Sequence, residues 1–362
     1  MPFFKSKKKP SSAPTFKLQV ENFWLWWETN SARILESVNE NGGASIQKEI
    51  IEQVALLGPS LAWVFGPHPD GKEHGHSFTL SPEGNQNYLF LTSYWLSRAP
   101  KVQGWYFYSS RQPSDDLNGA SIQIGDFQLK TNELWITTTV DREENKLDLI
   151  AWSPIFREVK ESTAYQVLYL LLDEALGENG VSQWLGHIEI KDDQVAHSYP
   201  LPELPEQLSL AKKENEWKNI SFEDSYTLYR FKEPRDHFPR ADLISLTTQN
   251  PRITLDYFNN EGHLDDPVAK TGASYHFIQI PISQFPRGKE VDLRAEWEDS
   301  LEEELARDLS GRVFGGGLGT DYAYIDVLLF DGEKSLQIVQ DTLEKNEARK
   351  FKIQPFGTGT KS

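Results

Sequence analysis

The chain contains no cysteine in its 362 residues, and this absence constrains the fold more than any motif present. Disulfides, thiolate zinc sites and cysteine nucleophiles are excluded outright. A secreted chain of this size usually carries disulfides, which points to a reducing, cytoplasmic compartment. The length suits two domains. Eleven Trp, 13 Tyr and 20 Phe within a 38% hydrophobic content are enough to fill two cores.

No stretch approaches the roughly 18 to 20 apolar residues that a membrane span needs. Residues 1–14 carry Lys5, Lys7, Lys8 and Lys9 without an apolar run behind them, so they read as a solvated basic tail and not as a secretory signal. The net charge of −17 divides into −8 over residues 1–200 and −9 over residues 201–362. Neither half offers the basic field that a phosphate backbone or an anionic lipid surface requires. The expected partners therefore include no nucleic acid and no membrane; a protein partner with a basic surface is favoured.

Hydrophobic period separates helices from strands. Val20, Phe23, Trp24, Trp27, Ile34, Leu35 and Val38 form one 3.6-residue stripe, closed by Asn41-Gly42-Gly43 because glycine tolerates the left-handed turn at a helix end. Ile46, Ile50, Val54 and Leu57 predict a second helix. Further helices are expected at 88–98, from Thr163 to Gly177, near 204–217, at 297–309 (acidic outside, with Trp297, Leu301, Leu305 and Leu309 inside) and at 335–345. Strands are expected at 61–65, 76–80, 105–109, 121–124, 134–140, 147–152, 184–190, 226–231, 243–248, 253–258, 275–280 and 351–354, with a hairpin at 312–316 and 322–330. Short turns between many strands favour α+β sandwiches with mainly antiparallel sheets over a doubly wound parallel sheet. Pro200, Pro202 and Pro205 in the polar segment 192–205 mark the expected boundary, giving a tail (1–14), an N-terminal α+β domain (15–198) and a C-terminal one (206–358).

Four segments carry a resemblance. Phe23-Trp24-Leu25-Trp26-Trp27, the stretch from Ala99-Pro100 to Gly104-Trp105-Tyr106-Phe107, and Asp173-Glu174-Ala175-Leu176-Gly177-Glu178 are similar to an uncharacterised family of bacterial proteins. So is the run from Gly315 to Asp326. Residues 220–356 also resemble the ferredoxin-like regulator of ribonuclease E activity, type B. The resemblance implies a bacterial, cytoplasmic, non-catalytic and regulatory protein whose second α/β sandwich is ferredoxin-like. It supplies no activity and no functional residue.

Candidate sites follow from the residues themselves. His68, His74 and His76 lie within nine positions. On an extended strand His74 and His76 share a face, and with His68, Asp70 or Glu73 they could complete a nitrogen and oxygen shell for zinc or nickel. The competing reading is a solvated turn built on Pro69-Asp70-Gly71. The glycine run 315–319 joins two strand-like segments and lacks a Gly-Lys-Ser/Thr ending, so it reads as a hairpin or bulge and not as a phosphate cradle. In the strand after it, Ala323, Ile325, Val327 and Leu329 form a wholly apolar face. Tyr322, Tyr324 and Asp326 fall on the other face, expected to be turned away from the domain's helices as a partner surface. Trp26 lies off the first helix's stripe and is a further partner candidate.

No cofactor fingerprint and no nucleophile elbow occurs. Three functions compete: a protein-binding inhibitor-like or immunity-like module, a metal-dependent enzyme using the 68–76 cluster, and a small-molecule binder in an interdomain cleft.

Overall fold

The computed structural model describes residues 13–69, 75–124, 127–231 and 238–357. They gather into two compact units, neither continuous in sequence. The first draws on Met1–Leu61, Gln86–Gln103 and Tyr226–Ser362, and the second on Ala62–Asn85 and Gly104–Ser225.

The first unit opens with α1 (Phe16–Asn41), α2 (Gln47–Leu57) and α3 (Leu89–Ser97). Thr15 caps α1 by accepting the Leu18 N–H, and Gly42 ends it at φ 66°, as the sequence anticipates. The α1 stripe does not pack on the strands that follow it in sequence. Its Lys17 N–H donates to the Phe330 carbonyl at 2.9 Å, and the Phe16 ring lies 5.9 Å from Phe330 and 5.8 Å from Tyr94 of α3. Tyr94 in turn donates its hydroxyl to the Leu309 carbonyl at 2.9 Å. N-terminal helices and C-terminal sheet thus share one core.

The second unit holds two small sheets, a hairpin and three helices among its described residues. Strand β2 (His76–Ser81) pairs antiparallel with β1 (Ala62–Pro67) and parallel with β3 (Trp105–Tyr108). Strands β4 (Ser121–Ile124) and β5 (Phe127–Lys130) form the hairpin. The other sheet has the order β8-β7-β6-β9, from β6 (Trp135–Asp141), β7 (Lys146–Trp152), β8 (Leu185–Ile190) and β9 (Tyr199–Pro200). Its Ile136, Leu147, Leu149 and Ala151 meet the apolar stripe of α4 (Glu161–Leu176), with α5 (Glu178–Trp184) and α6 (Leu204–Glu214) completing the core.

The segment expected to divide the chain lies inside this unit. Tyr199-Pro200 pairs with Ile136 and Trp135, the Leu201 N–H donates to the Leu134 carbonyl at 2.9 Å, and Leu201 and Leu204 are fully buried. Pro205 sits in the first turn of α6, where proline's missing N–H costs nothing. These prolines end a strand and start a helix; they do not form a linker.

The C-terminal part of the first unit contains β10 (Thr227–Arg230), β11 (Leu243–Thr248), α7 (Pro251–Asn259), β12 (Ser274–Pro281) and α8 (Glu290–Arg307). It continues with β13 (Gly311–Gly319), β14 (Tyr322–Leu329), α9 (Gly332–Lys345) and β15 (Lys352–Pro355). The sheet order is β10-β11-β13-β14-β12-β15, and every pairing is antiparallel. Residues 253–258, expected as a strand, lie in α7. Asn250 accepts the Ile253 N–H at 3.2 Å and Pro251 occupies the first turn, and this start signal overrides the β-branched and aromatic content.

One face of the sheet carries Ala323, Ile325, Val327 and Leu329 against Trp297, Leu301 and Leu305 of α8 and Val339 and Leu343 of α9. The opposite face is covered as well. Phe330 meets Phe16 and Tyr94, and Phe277 meets Tyr257 of α7. The sheet is the middle of three layers.

Candidate functional surface

Helix α8 is anchored by a single stripe, Trp297, Leu301 and Leu305, with at most 4% of any of them exposed. Apart from exposed Val291 and half-buried Leu293, the rest of it is charged or small: eight carboxylates stand against two arginines in its 18 residues. Glu290 and Asp292 in the first turn and Arg307 in the last oppose the helix dipole, which favours the helix despite its like charges. Some outward carboxylates are neutralised. Arg307 pairs with Glu303 at 2.9 Å and also with Glu304, Lys289 pairs with Asp292 at 3.0 Å, and Lys345 of α9 reaches Glu304 at 3.8 Å. Glu302 is turned back to accept the Val313 N–H at 2.5 Å. Glu296 and Asp299 are exposed and have no ion-pair partner among the described residues. On neighbouring α9, the Asp341 and Glu344 carboxylates are exposed and, among the described residues, accept from Gln337 and Gln340 alone. The two helices present an outward layer with surplus negative charge.

The inward side of α8 holds a different pair. Arg294 and Glu298 approach to 3.3 Å and lie across Gly316 of β13. Burial pushes the Glu298 carboxyl up to about 7, against the opposing pull of Arg294. A methyl group at Gly316 would collide with Glu298 Oε1 and come within 2.7 Å of Arg294 Nη1. The glycine run is therefore neither a cradle nor a turn. It is strand, with a bulge between Val313 and Gly315, and its bare backbone admits a salt bridge laid flat on the sheet.

The sequence-derived candidates fare unevenly. Tyr324 and Asp326 are fully buried and Tyr322 is half-buried, so the expected open partner surface is an interior layer. Asp326 meets Arg240 through both oxygens, with Nη2 to Oδ2 at 2.9 Å. Tyr324 donates its hydroxyl to Asp242 Oδ1 at 2.5 Å. Ala323, Ile325, Val327 and Leu329 face α8 and α9, as the alternation predicts. The other face is closed because α7, Arg240 and the N-terminal helices supply a second layer. Trp26 is half-buried, its ring 5.9 Å from Phe23 and 6.0 Å from Trp27; its neighbour Leu25 is the open residue, 65% exposed.

Of the three histidines, His74 lies outside the described residues. The other two occupy opposite faces of the sheet. His76 pairs with Pro67 and its ring approaches Trp105, whereas His68 packs over Gly75 and its ring approaches Tyr106. Successive residues on a strand point opposite ways, so this pair does not converge on one ion. Among the described residues no group of three or more histidine or carboxylate side chains is placed to hold a metal.

One polar cluster joins residues far apart in sequence. In the second unit Glu178, 3% exposed, accepts from Ser81 Oγ at 2.8 Å, the Gly84 N–H at 2.7 Å and the Arg111 N–H at 3.2 Å. Its own N–H donates to the Arg111 carbonyl at 3.0 Å. The carboxylate ties three loops together and has little capacity left for a ligand. Nearby Asp173 is raised to about 7 by burial and by the Glu178 charge, with Arg111 opposing. Nothing in local spacing brings Ser81, Arg111 and Glu178 together.

Comparison of the chain with protein-family profiles, with curated proteins and with solved structures returned no match. Among the described residues no helix is long and apolar enough to cross a membrane.

Proposed function

We propose that this chain is a non-catalytic regulatory protein of the bacterial cytoplasm that binds a basic protein partner, in the manner of an inhibitor, through the outer layer of α8 and α9. The observation that carries this reading is the pair Glu296 and Asp299, exposed and outside every close ion pair among the described residues, with Lys289 acting on Glu296 only at longer range, on a helix with eight carboxylates and two arginines. Uncompensated like charge on a helix destabilises it by a few tenths of a kcal/mol per pair. A partner of opposite sign removes that cost and is steered to the surface by it.

The strand order β15-β12-β14-β13, with both intervening helices on one face, favours the ferredoxin-like reading of the C-terminal segment. It is also compatible with its resemblance to the regulator of ribonuclease E activity, type B.

The test is capture from the native cytoplasm on immobilised wild type and on the charge-reversed variant E296K/D299K, at low and at high salt. Both substitutions are on the exposed face, so melting temperature should stay close to wild type. A basic protein held by wild type at low salt, released by high salt and lost in the variant supports the reading. Equal retention by both overturns it.

A further inference from the structure

A groove of about 550 Å³ runs across the second unit between the loop at 113–117, the end of α4 and the side of α6 that carries Leu208, Ser209 and Lys212. Its apolar walls include Leu117, Leu176 and Leu208, and Lys212, Lys213 and Trp217 stand along it. The volume lies within the range of small-molecule sites, and the mixture of apolar wall with a few polar groups is what such sites share.

The charge is the unusual part. In a chain of net charge −17, neither Lys212 nor Lys213 has an ion-pair partner among the described residues. Lys212 instead holds its ammonium 4.1 Å from the centre of the Trp184 ring. Trp184 stacks on Trp217 at 5.9 Å with an interplanar angle of 5°, and the Trp217 backbone N–H donates to the Lys212 carbonyl at 2.9 Å. The lysine head is thus positioned by an aromatic ladder and not by a carboxylate. Burial lowers the Lys212 pKa, and a bound anion would reverse that shift.

We propose that this groove binds a small organic anion with an apolar body, its carboxylate taken by Lys212 and Lys213 and its hydrocarbon part laid on Leu117, Leu176 and Leu208. Charge complementarity selects this occupant over a cation or a neutral lipid. The site is separate from the α8 surface and does not rest on the reading given for it.

The test uses decanoate, 1-decanol and decylammonium as probes of equal chain length, titrated calorimetrically into the full chain. Decanoate should bind once per chain, at least tenfold more tightly than either other probe. K212Q/K213Q should weaken decanoate by tenfold or more while melting close to wild type, and L208W, which fills the groove, should abolish binding. If L208W fails to fold, S209W, at an exposed residue of the same groove, serves the same purpose. Equal affinity for decanoate and 1-decanol, unchanged affinity in K212Q/K213Q, or no decanoate binding at all would each overturn the proposal.

Discussion

Asp326 and Arg240 form a two-point ion pair in which neither side chain exposes more than 1% of its surface. Four aromatic rings close around the guanidinium, with centroids 4.8 Å (Phe356), 5.1 Å (Phe277), 5.2 Å (Tyr324) and 6.0 Å (Tyr257) away. Arg240 adopts φ 71°, a left-handed conformation uncommon for a non-glycine residue. Two desolvated charges are costly alone and tolerable together.

Removing one partner leaves the other charge buried without compensation. D326A and R240A should each lower stability by about 3 to 5 kcal/mol, measured by urea denaturation. The double variant D326L/R240M should recover much of that loss, since a buried pair is often replaceable by apolar residues of similar volume. Additive losses in the double variant would show that the two side chains act independently.

Tyr324 tests the same layer through a milder change. Y324F deletes the hydroxyl that donates to Asp242 Oδ1 and keeps the ring. Asp242 Oδ2 still accepts the Asp321 and Tyr322 N–H groups at 3.1 Å, so the turn between β13 and β14 should survive. The expected cost is about 1.5 to 3 kcal/mol, the range for a hydrogen bond to a charged group. A loss near zero would mean that this hydroxyl is free to face solvent or a partner.

These two residues also mark how far the sequence could be read. Period-two alternation placed Ala323, Ile325, Val327 and Leu329 correctly, because a strand face with no polar member has one destination. The same alternation leaves the other face open, with Asp326 in need of water, a donor or a basic partner; the structure closes that face and supplies the basic partner from within. Its partner Arg240 lies 86 positions away, and no local pattern announces a pairing over that distance. The domain boundary failed for the same reason: Phe16 and Phe330 share a core, and period identifies the buried side of a helix but not what buries it. The acidity of α8 was plain in the sequence. Which of its carboxylates stay unpaired was not, since that depends on where Arg294, Arg307 and Lys345 reach.

The raised carboxyls give a signed pH dependence. Glu298 moves from 4.5 to about 7 and Asp173 from 3.8 to about 7, burial being the main cause in both. The folded chain therefore binds more protons than the unfolded chain between roughly pH 4 and 7, and these groups make stability fall as pH rises through that window and level off above it. E298Q and D173N should each flatten the decline, seen as a smaller difference in urea midpoint between about pH 5 and pH 8 than in wild type. Curves parallel to wild type would show that the carboxyls ionise normally.

The most direct test of the account asks whether a partner sits on the outer layer of α8 and α9. A photo-crosslinking residue is placed at Asp299, and in separate chains at Leu228 of β10 and Tyr169 of α4, which are 54% and 45% exposed, and each chain is irradiated in native cytoplasm. The account expects a single basic protein joined at position 299, lost at high salt, and absent from positions 228 and 169. No adduct at 299, or the same adducts at all three positions, would contradict it.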